Sequence, residues 1–300
     1  MSLLEKIEAG QLDARKFVEQ QVQEIAAAVP YGIAINALSG GVDSSVVTML
    51  GHRALGNRLI TYFVDNGLMR KGEPESVVSL FQRKGIPVNL VNAQEEFFEA
   101  LRGLTDPEEK REAVTQTFYK KVFARLVKQS GAKFLLQGTI WTDIAETAAG
   151  IKRQHNVFEQ IGIDPQEVFG YRIIEPLVQI LKDGVRKVAA ELDLPESVYA
   201  RMPFPGPALA TRIIGEVTPE RVATVRHATQ IVEGALQGLD IFQCLAILHN
   251  DRVTGMRDGK REFGQQIEVR CWNSADARVA RPTNVTWRIL FSMARNIVDE

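Results

Sequence analysis

The sequence contains little of what marks a secreted, disulfide-rich or membrane-spanning protein. It has two cysteines, Cys244 and Cys271, which form neither a CxxC motif nor a Cys/His cluster, so neither a disulfide scaffold nor a structural zinc site is expected. No run of about 18 apolar residues occurs, and charged residues lie where an amino-terminal secretory signal would need an apolar stretch. We therefore expect a cytoplasmic protein without a membrane segment.

The sequence also has no excess of either charge. Its 36 Lys and Arg stand against 37 Asp and Glu, which gives a net charge of −1. Because nucleic-acid binding draws most of its affinity from neutralised phosphates, no nucleic-acid partner is expected. The remaining composition, 45% hydrophobic and 24% charged, is that of an ordinary globular protein whose length suits two domains.

Short apolar runs alternate with amphipathic segments over the first part of the chain. The runs predict strands at 32–38, 59–65, 87–93 and 133–139. The segments between them predict helices at 42–55, 73–85 and about 107–130. Such alternation is typical of parallel crossovers, so we expect an α/β fold with a doubly wound parallel sheet. Ligands of such sheets bind beyond the carboxyl ends of the strands.

A rigid turn separates this part from the rest of the chain. The prolines and glycine of PFPGPALATR (203–212) cannot lie inside a helix or a central strand, which predicts a domain junction. We expect a larger domain over 1–212, with a lid at about 149–170, and a small α+β domain over 213–300. Its predicted elements are a helix at 218–236, strands at 242–249 and 265–272, and a helix at 284–298.

The strongest local signal is the loop SGGVDSS between a predicted strand and a predicted helix. Glycines let consecutive N–H groups converge on an anion, the start of the helix adds partial positive charge, and hydroxyls add donors. No lysine follows the glycines as in a Walker A loop. A glycine-rich turn by itself can equally be a plain loop, but the strand-loop-helix context favours a phosphate site. Its candidate ligands are Ser39, Gly40, Gly41, Val42, Asp43, Ser44 and Ser45.

Six blocks in a fixed order carry a resemblance to a known family. They are SGGVDSSV (39–46), FVDNGLMRKGE (63–73), TDPEEKR (105–111), QGTIWTDIAE (137–146), IKRQHN (151–156) and PFPGPALATR (203–212). Together they resemble the ATP-pyrophosphatase part of the GMP synthetases, within the N-type ATP pyrophosphatases. The resemblance implies an adenine nucleotide α-hydrolase-like fold followed by a dimerisation domain, and hence a homodimer.

The same resemblance implies a reaction and its participants. A ligase of this kind cleaves ATP between the α- and β-phosphates, adenylates an acceptor oxygen and releases pyrophosphate, after which ammonia displaces AMP. The acceptor would be xanthosine monophosphate or a related substrate, and the cofactors ATP and Mg²⁺. No glutaminase domain is visible, so ammonia is expected either free or from a separate glutamine amidotransferase subunit.

Roles of individual residues follow from the resemblance and from their chemistry. The expected catalytic residues are Asp43, Asp143, Glu146 and Lys152, with Asp43 and Asp143 as metal ligands. ATP would contact the 39–45 loop together with Val64 and Gly138, and the acceptor would contact Arg70, Arg212 and Asp258.

Structural explanations stay open for several of these residues. Asp143 and Glu146 lie three residues apart, on one face of a predicted helix, where the helix dipole alone favours carboxylates. Asp65, in the second block, can simply cap a turn. Asp258 lies in an Asp-Gly turn, for which a hairpin is explanation enough, and Arg212 could be an ordinary surface arginine.

The chain departs from the family pattern at several places. No segment resembles the family's KPPATIEWE tail, and Met202, Gln154 and Ala208 stand where histidine, histidine and glycine are usual. Two alternatives therefore remain: a paralogous ATP pyrophosphatase with another acceptor, including sulfur transfer, and an ATP-binding protein without turnover. Sulfur transfer would need a reactive cysteine, whereas Cys244 and Cys271 lie in strand-like runs.

Overall fold

Strands and helices alternate over most of the chain. The computed structural model describes residues 5–148, 170–204, 206–257, 259–274 and 279–299. Its strands are β1 (Ala34–Ala37), β2 (Leu59–Asp65), β3 (Val88–Asn92), β4 (Phe134–Leu136), β5 (Arg172–Ile174), β6 (Gln243–Arg257), β7 (Lys260–Asn273) and β8 (Arg281–Pro282). Its α-helices are α1 (Ala14–Ala28), α2 (Val42–Leu55), α3 (Glu73–Arg83), α4 (Gln94–Leu101), α5 (Pro107–Gln116), α6 (Ala124–Ser130), α7 (Trp141–Ala148), α8 (Lys182–Glu191), α9 (Glu196–Tyr199), α10 (Pro219–Ala235) and α11 (Trp287–Asp299). None of these described helices is both long enough and apolar enough to cross a membrane.

The first five strands form one sheet in the order β3-β2-β1-β4-β5. Strand β1 pairs in parallel with β2 and with β4, and β4 pairs in parallel with β5. The predicted doubly wound parallel sheet is thereby confirmed. After β1 the chain adds β2 and β3 on one side of it, and then adds β4 and β5 on the other side. The strand order therefore reverses between β1 and β4. The loops after β1 and after β4 flank that switch point, where ligands of such sheets bind.

Helix α2 packs very closely on the sheet because it carries a glycine at the contact. A Cβ added to Gly51 would lie 2.6 Å from Leu136 Cδ2 and 2.9 Å from Leu59 Cδ2. Both leucines are buried, as are Val46 and Leu50 on the same helix. The contact therefore fixes where α2 begins relative to the ends of β1 and β4.

A buried polar network joins the same three elements. The Asn36 side chain on β1 donates from Nδ2 to Thr48 Oγ1 on α2 at 2.6 Å and accepts from Thr61 Oγ1 on β2 at 2.7 Å. Thr48 Oγ1 in turn donates to the carbonyl oxygen of Ser44 at 2.8 Å. Buried polar groups are costly unless they are paired. This paired network therefore ties the first turn of α2 to the two central strands.

The chain divides into two compact units. The first consists of Met1–Val64, Pro74–Asn92 and Tyr119–Arg201, and the second of Asp65–Glu73, Ala93–Phe118 and Met202–Glu300. Several residues that the sequence analysis counts in the larger domain thus group with the second unit, namely 65–73, 93–118 and 202–212. The domain boundary at 212 stays a prediction.

The second unit contains the predicted small α+β arrangement. Strands β6 and β7 form an antiparallel hairpin with β8 at its edge, and α10 and α11 pack on its inner half. The core there consists of Ala228, Val232, Leu236, Cys244, Ala246 and Met293. Both strands are longer than predicted, because their outer halves are exposed and show no apolar alternation to indicate a strand.

Two further elements differ from the prediction. Helix α4 was not anticipated, because it buries only Phe97 and Leu101 and has no side-chain cap. The helix expected over 107–130 is α5 and α6 joined by a π-helix at Thr117–Phe123. The spacing of apolar residues in the sequence does not reveal the extra residue per turn of a π-helix, so the π-helix could not be predicted.

Substitution of Gly51 by alanine tests the close packing of α2. We expect Gly51→Ala to lower the free energy of unfolding by about 1–3 kcal/mol, because the added methyl overpacks two buried leucines. Gly234 is a matched control, since it is also helical and a Cβ added there meets nothing within 4 Å. Gly234→Ala should raise the free energy of unfolding by up to about 1 kcal/mol. Urea titration measures both, and a stabilised Gly51→Ala protein would contradict the packing argument.

Candidate active site

The loop between β1 and α2 presents an open helix N-terminus. The N-cap of α2 is Gly41, which has no side chain, and the first backbone bond of the helix runs from Ser45 N to Gly41 O at 3.0 Å. The N–H groups of Val42, Asp43 and Ser44 therefore have no intrahelical acceptor. Gly40 has a φ of +79°, which residues with a Cβ rarely adopt. Such a turn can cradle an anion.

The hydroxyl of Ser44 holds the loop in this shape. Ser44 Oγ donates to Gly41 O at 3.0 Å, accepts from Ser39 N at 3.2 Å and lies 3.0 Å from Ser39 Oγ. Ser45 is buried, and its Oγ has no partner within the described ranges. Of the predicted ligands, Ser44 thus shapes the loop, whereas Ser39 is exposed at its start.

The loop after β4 lies directly against the candidate phosphate loop, residues 39–45. A Cβ on Gly138 would lie 3.3 Å from the carbonyl carbon and the Cβ of Asp43 and 3.3 Å from Ser44 N. Since two of these atoms are backbone, they cannot move aside as a flexible side chain could. Gly138 is therefore the residue that lets the two loops meet, and Val64 lies buried at the end of the neighbouring strand β2.

Asp43 forms an ion pair that the sequence analysis did not anticipate. Lys182 Nζ donates to Asp43 Oδ2 at 2.6 Å. The other carboxylate oxygen, Oδ1, is buried and has no partner among the described residues. Lys182 is the first residue of α8. Its segment, LKDGVRK, has the charges of any solvated helix, so the sequence pattern does not single out Lys182. An orphaned carboxylate oxygen is a ligand that suits a hard cation such as Mg²⁺.

Asp143 lies at the start of α7. Its Oδ2 accepts from Ile140 N at 3.0 Å, and its own N–H donates to Ile140 O at 3.0 Å. Burial, followed by the charges of Tyr171 and Asp143, raises the pKa of Tyr119 to about 12. Asp143 thus has a structural task at the helix end, and its assignment as a metal ligand stays a prediction.

The segment after β5 completes the edge of the sheet. Thr139 Oγ1, in the loop after β4, donates to Glu175 Oε1 at 2.6 Å. Trp141 N, where α7 begins, donates to Ile180 O at 3.0 Å. Lys182 follows two residues later and pairs with Asp43. Loops from β1, β4 and β5 therefore converge at the carboxyl edge, where they bring together amides, hydroxyls, a carboxylate and an ammonium group.

Three predicted positions fall outside the described part of the chain. These are Lys152 with most of the predicted lid, Asp258 in its Asp-Gly turn, and the side chain of Glu146 on α7. Their roles stay predictions.

A second cluster of charged residues lies within the second unit. Arg70 Nε donates to both carboxylate oxygens of Glu233, at 2.8 and 3.0 Å. The guanidinium carbons of Arg70 and Arg212 lie 4.0 and 4.4 Å from the centroid of the Phe204 ring. The structure therefore brings together the two arginines that the sequence analysis assigned to the acceptor. Glu233 and Phe204 were not anticipated.

Arg212 is a buried cation whose guanidinium makes no hydrogen bond to another described residue. It is 2% exposed, and Nε, Nη1 and Nη2 all lack a partner within the described ranges. Burial, followed by repulsion from Arg70, lowers the pKa of Arg212 to about 10, so the group stays charged at neutral pH. Because the side chain is buried, the explanation of Arg212 as an ordinary surface arginine is wrong. A buried charge without a partner is costly to folding. Such a group is suited to binding a phosphate or carboxylate.

Other cations hold the loops that carry the two arginines. Leu209 N donates to Leu68 O at 3.0 Å and so joins the two loops. Arg226 donates to the carbonyl oxygens of Gly67 and Met69. Lys110, which is 1% exposed, donates to Ile213 O and Gly215 O, each at 2.6 Å.

The turn at Asp65 has a structural explanation. Asp65 Oδ1 accepts from Gly67 N at 2.9 Å, and Oδ2 accepts from Gln94 Nε2 at 2.6 Å. The side chain therefore caps the turn that leads to Arg70, as Asx residues commonly do.

Sequence comparisons connect this site with known proteins. The family described as "GMP synthase C terminal domain" matches residues 231–300, and the family described as "Asparagine synthase" matches residues 13–139. A subunit of the glutamine-hydrolysing GMP synthase of Archaeoglobus fulgidus is 47% identical over 96% of this chain and 93% of its own length. The corresponding GMP synthase subunit of Thermococcus kodakarensis is 46% identical over 95% of this chain and 92% of its own length.

The chain belongs to this family of GMP synthase subunits. The resemblance carried by the six blocks is thereby confirmed. Among solved structures, NMN synthetase from Francisella tularensis has a TM-score of 0.50 at 15% identity and covers 70% of this chain and 84% of its own. That likeness concerns the fold alone.

One departure from the GMP synthase pattern has a backbone consequence. Ala208, where glycine is usual, has a φ of +51° at the start of a 3₁₀ helix that ends at Arg212. The left-handed conformation costs a residue with a Cβ roughly 1–2 kcal/mol. The chain therefore holds this turn under strain next to the buried arginine.

Replacing Ala208 by glycine tests the strain. We expect Ala208→Gly to change the free energy of unfolding by less than about 1 kcal/mol, because relief of the left-handed strain offsets the lost methyl and the extra chain entropy. Ala210 is the matched control, since it is equally buried and its φ is not positive. Ala210→Gly should cost about 1–2 kcal/mol. Equal losses for the two proteins in urea titration would contradict the assignment of strain.

Proposed function

We propose that this protein is an ATP-dependent amidating ligase that makes GMP or a close analogue. Membership of the GMP synthase family supports this activity. The observation that carries the proposal is the phosphate loop at the switch point, with its open helix N-terminus and the orphaned oxygen of Asp43. An acceptor oxygen attacks the α-phosphorus of ATP, the bond to the β-phosphate breaks, and pyrophosphate leaves. Ammonia then forms the new C–N bond, and AMP leaves with the acceptor oxygen.

The loop is suited to stabilise the leaving pyrophosphate. Its amides at residues 42–44, which have no intrahelical acceptor, are already oriented before the reaction, and preorganised donors are the most effective stabilisers of developing charge. Gly138 keeps the second loop close enough to enclose the phosphates. By resemblance, Lys152 would add a further cation from the lid.

Mg²⁺ fits the residues present. Asp43 and Asp143 would hold the ion, which when bound neutralises polyphosphate charge. Among the described residues no three His, Cys, Asp or Glu side chains converge on one point. Mg²⁺ commonly takes one or two carboxylates and leaves its other positions to phosphates and water.

The second cluster is suited to the acceptor nucleotide. An acceptor phosphate would satisfy the Arg212 guanidinium, and Arg70 beside it adds a second positive charge. The turn that contains Asp258 would add an acidic contact, as the resemblance implies. Xanthosine monophosphate meets these requirements.

Ammonia supply and assembly complete the proposal. The relatives are named as single subunits of a glutamine-hydrolysing enzyme, so a separate amidotransferase subunit would deliver ammonia. A homodimer through the second unit is also proposed. Trp287 and Phe291 on α11 support it, since they are 74% and 69% exposed and their rings lie 5.7 Å apart.

Sulfur transfer is disfavoured by the cysteines. Burial, followed by the charge of Glu233, raises the pKa of Cys244 to about 12, and burial also raises the pKa of Cys271. Neither thiol is therefore ionised at neutral pH, as a sulfur carrier would require.

Product analysis tests the proposed function. The wild-type protein, given Mg-ATP, ammonium and xanthosine monophosphate, should release GMP, AMP and pyrophosphate in equal amounts. Asp43→Asn should lower the rate by at least about 100-fold. Asp183→Asn is the control, because Asp183 is exposed on α8 and pairs with Arg186. AMP formed only with another acceptor would favour the paralogue, and no AMP at all would favour the binding protein.

Substitution of two buried cations, Arg212 and Lys110, tests the acceptor site. We expect Arg212→Met to raise the KM for the acceptor by at least about 30-fold, since a charge-assisted contact contributes roughly 2 kcal/mol. The same change should not lower the free energy of unfolding, because it removes an unpaired buried charge. Lys110→Met should lower stability instead, since the carbonyls of Ile213 and Gly215 would lose their donor. A destabilised Arg212→Met protein with an unchanged KM would assign Arg212 to structure.

A further inference from the structure

Three sulfur atoms meet in the core of the second unit, and none of the assignments above uses them. Cys244 Sγ on β6 lies 3.7 Å from Met202 Sδ, in the segment just before the PFPGP turn. Cys271 on β7 lies directly opposite Cys244. Because opposite residues of an antiparallel pair point to the same face of the sheet, both thiols face the core beneath α10 and α11. Met202 packs against the same core.

The hydrogen bonds of the sheet bring the two cysteines as close as neighbouring strands allow. Thr283 N, which follows β8, donates to Cys271 O at 3.0 Å. In an antiparallel ladder the N–H and C=O of one residue point to the same neighbouring strand, so the main chain of Cys271 faces β8 and not β6. Cys244 and Cys271 therefore form a non-hydrogen-bonded pair, in which the Cα atoms are about 4.5 Å apart and the side chains are closest.

Composition does not account for this meeting of sulfur atoms. The chain has two cysteines and six methionines among its 300 residues. Both cysteines and one of the methionines nevertheless lie together, brought from three separate segments. Met202 is also a departure from the family pattern, in which histidine is usual at this position. The departure places a soft thioether beside a thiol, where the pattern has an imidazole.

The three side chains have the chemistry and the spacing of a soft-cation site. Thiolates and thioethers are the protein ligands that select soft cations such as Cu(I). Two sulfur atoms 3.7 Å apart can both lie about 2.3 Å from one cation, a normal metal–sulfur distance, with an angle of about 107° at the cation. Cys244 and Met202 can therefore share a cation as they stand, and Cys271 adds a third sulfur from the opposite strand.

The charges nearby suit a monovalent cation. Burial, followed by the charge of Glu233, raises the pKa of Cys244 to about 12, so this thiol keeps its proton until a bound cation displaces it. Two thiolates and one Cu(I) form a singly negative complex. The positive charges of Arg212 and Arg70 act on Cys244, and the Arg212 guanidinium has no hydrogen-bond partner among the described residues. The buried arginine therefore matches the charge of such a complex.

The segment that carries Met202 connects the sulfur atoms with the acceptor cluster. Gln243 Nε2 on β6 donates to Pro203 O at 2.8 Å. The next residue, Phe204, lies with its ring against the guanidinium groups of both arginines of that cluster. A shift of Met202 toward a bound cation would therefore reach the ring on which the two arginines lie.

We propose that Cys244, Cys271 and Met202 form a binding site for a soft monovalent cation, Cu(I), and that its occupation weakens binding of the acceptor. Cu(I) displaces one proton from each thiol and forms two Cu–S bonds, the Met202 thioether adds a lone pair, and no electron is transferred. The second part of the inference rests on the proposed function. The negative complex attracts Arg212 and so competes with the acceptor phosphate for its charge.

Competition for Cu(I) tests the cation site without turnover. In oxygen-free buffer, the reduced wild type should take one equivalent of Cu(I) from the coloured chelator bicinchoninate and release about two protons at neutral pH. Met202→Leu, which keeps the side-chain volume, and Cys271→Ser should each bind Cu(I) at least about tenfold more weakly. Met256→Leu is the matched control, because Met256 is 66% exposed on the outer half of β6, and it should bind as the wild type does. Wild-type affinity in Met202→Leu or in Cys271→Ser would overturn the site.

Calorimetric titration with xanthosine monophosphate, without ATP, tests the coupling. One equivalent of Cu(I) should raise the dissociation constant of the wild type for xanthosine monophosphate several-fold and leave that of Cys271→Ser unchanged. An unchanged constant in the Cu(I)-loaded wild type would overturn the coupling. A cation-free wild type that binds no xanthosine monophosphate would instead overturn the proposed function, whereas the Cu(I) competition would still decide the cation site.

Discussion

The close approach of α2 to β4 is the constraint on which the phosphate loop depends. Gly51 lets the helix lie against Leu136, and Gly138, two residues after that leucine, lets the next loop lie against Asp43 and Ser44. A side chain at Gly51 would overpack the two leucines, and one at Gly138 would press on the backbone of Asp43 and Ser44. These two missing Cβ atoms therefore set the position of the first turn of α2, which carries Asp43.

Buried polar groups that have hydrogen-bond partners hold the structure together, whereas buried polar groups without partners are available to ligands. Asn36, Thr48 and Lys110 are buried and paired with partners at 2.6–2.8 Å. Asp43 Oδ1 and the Arg212 guanidinium are buried without a partner among the described residues. Native proteins leave few buried polar groups unpaired. Asp43 and Arg212 are both residues to which the family resemblance assigned a ligand.

Much of the first unit could be predicted from the sequence, because glycines mark its elements clearly. Helix α2 and strand β2 have the expected bounds, since Gly40 and Gly41 precede the helix and Gly56 follows it. Lys182 and Glu233 could not be found in this way. They lie 139 and 163 residues from Asp43 and Arg70, and no local pattern distinguishes them from other helical charges. The burial of Arg212 was equally hidden, because exposure depends on how distant segments pack.

The interleaving of the two units has a consequence for how this protein can be divided. The chain passes from one unit to the other five times, so each unit is assembled from three separate segments. No single cleavage releases either unit as a continuous fragment, and a gene fusion that joined only one of them to another protein would leave both incomplete. The two units must therefore be inherited, exchanged and synthesised as one module, with residues 65–73 and 93–118 made before the first unit is finished.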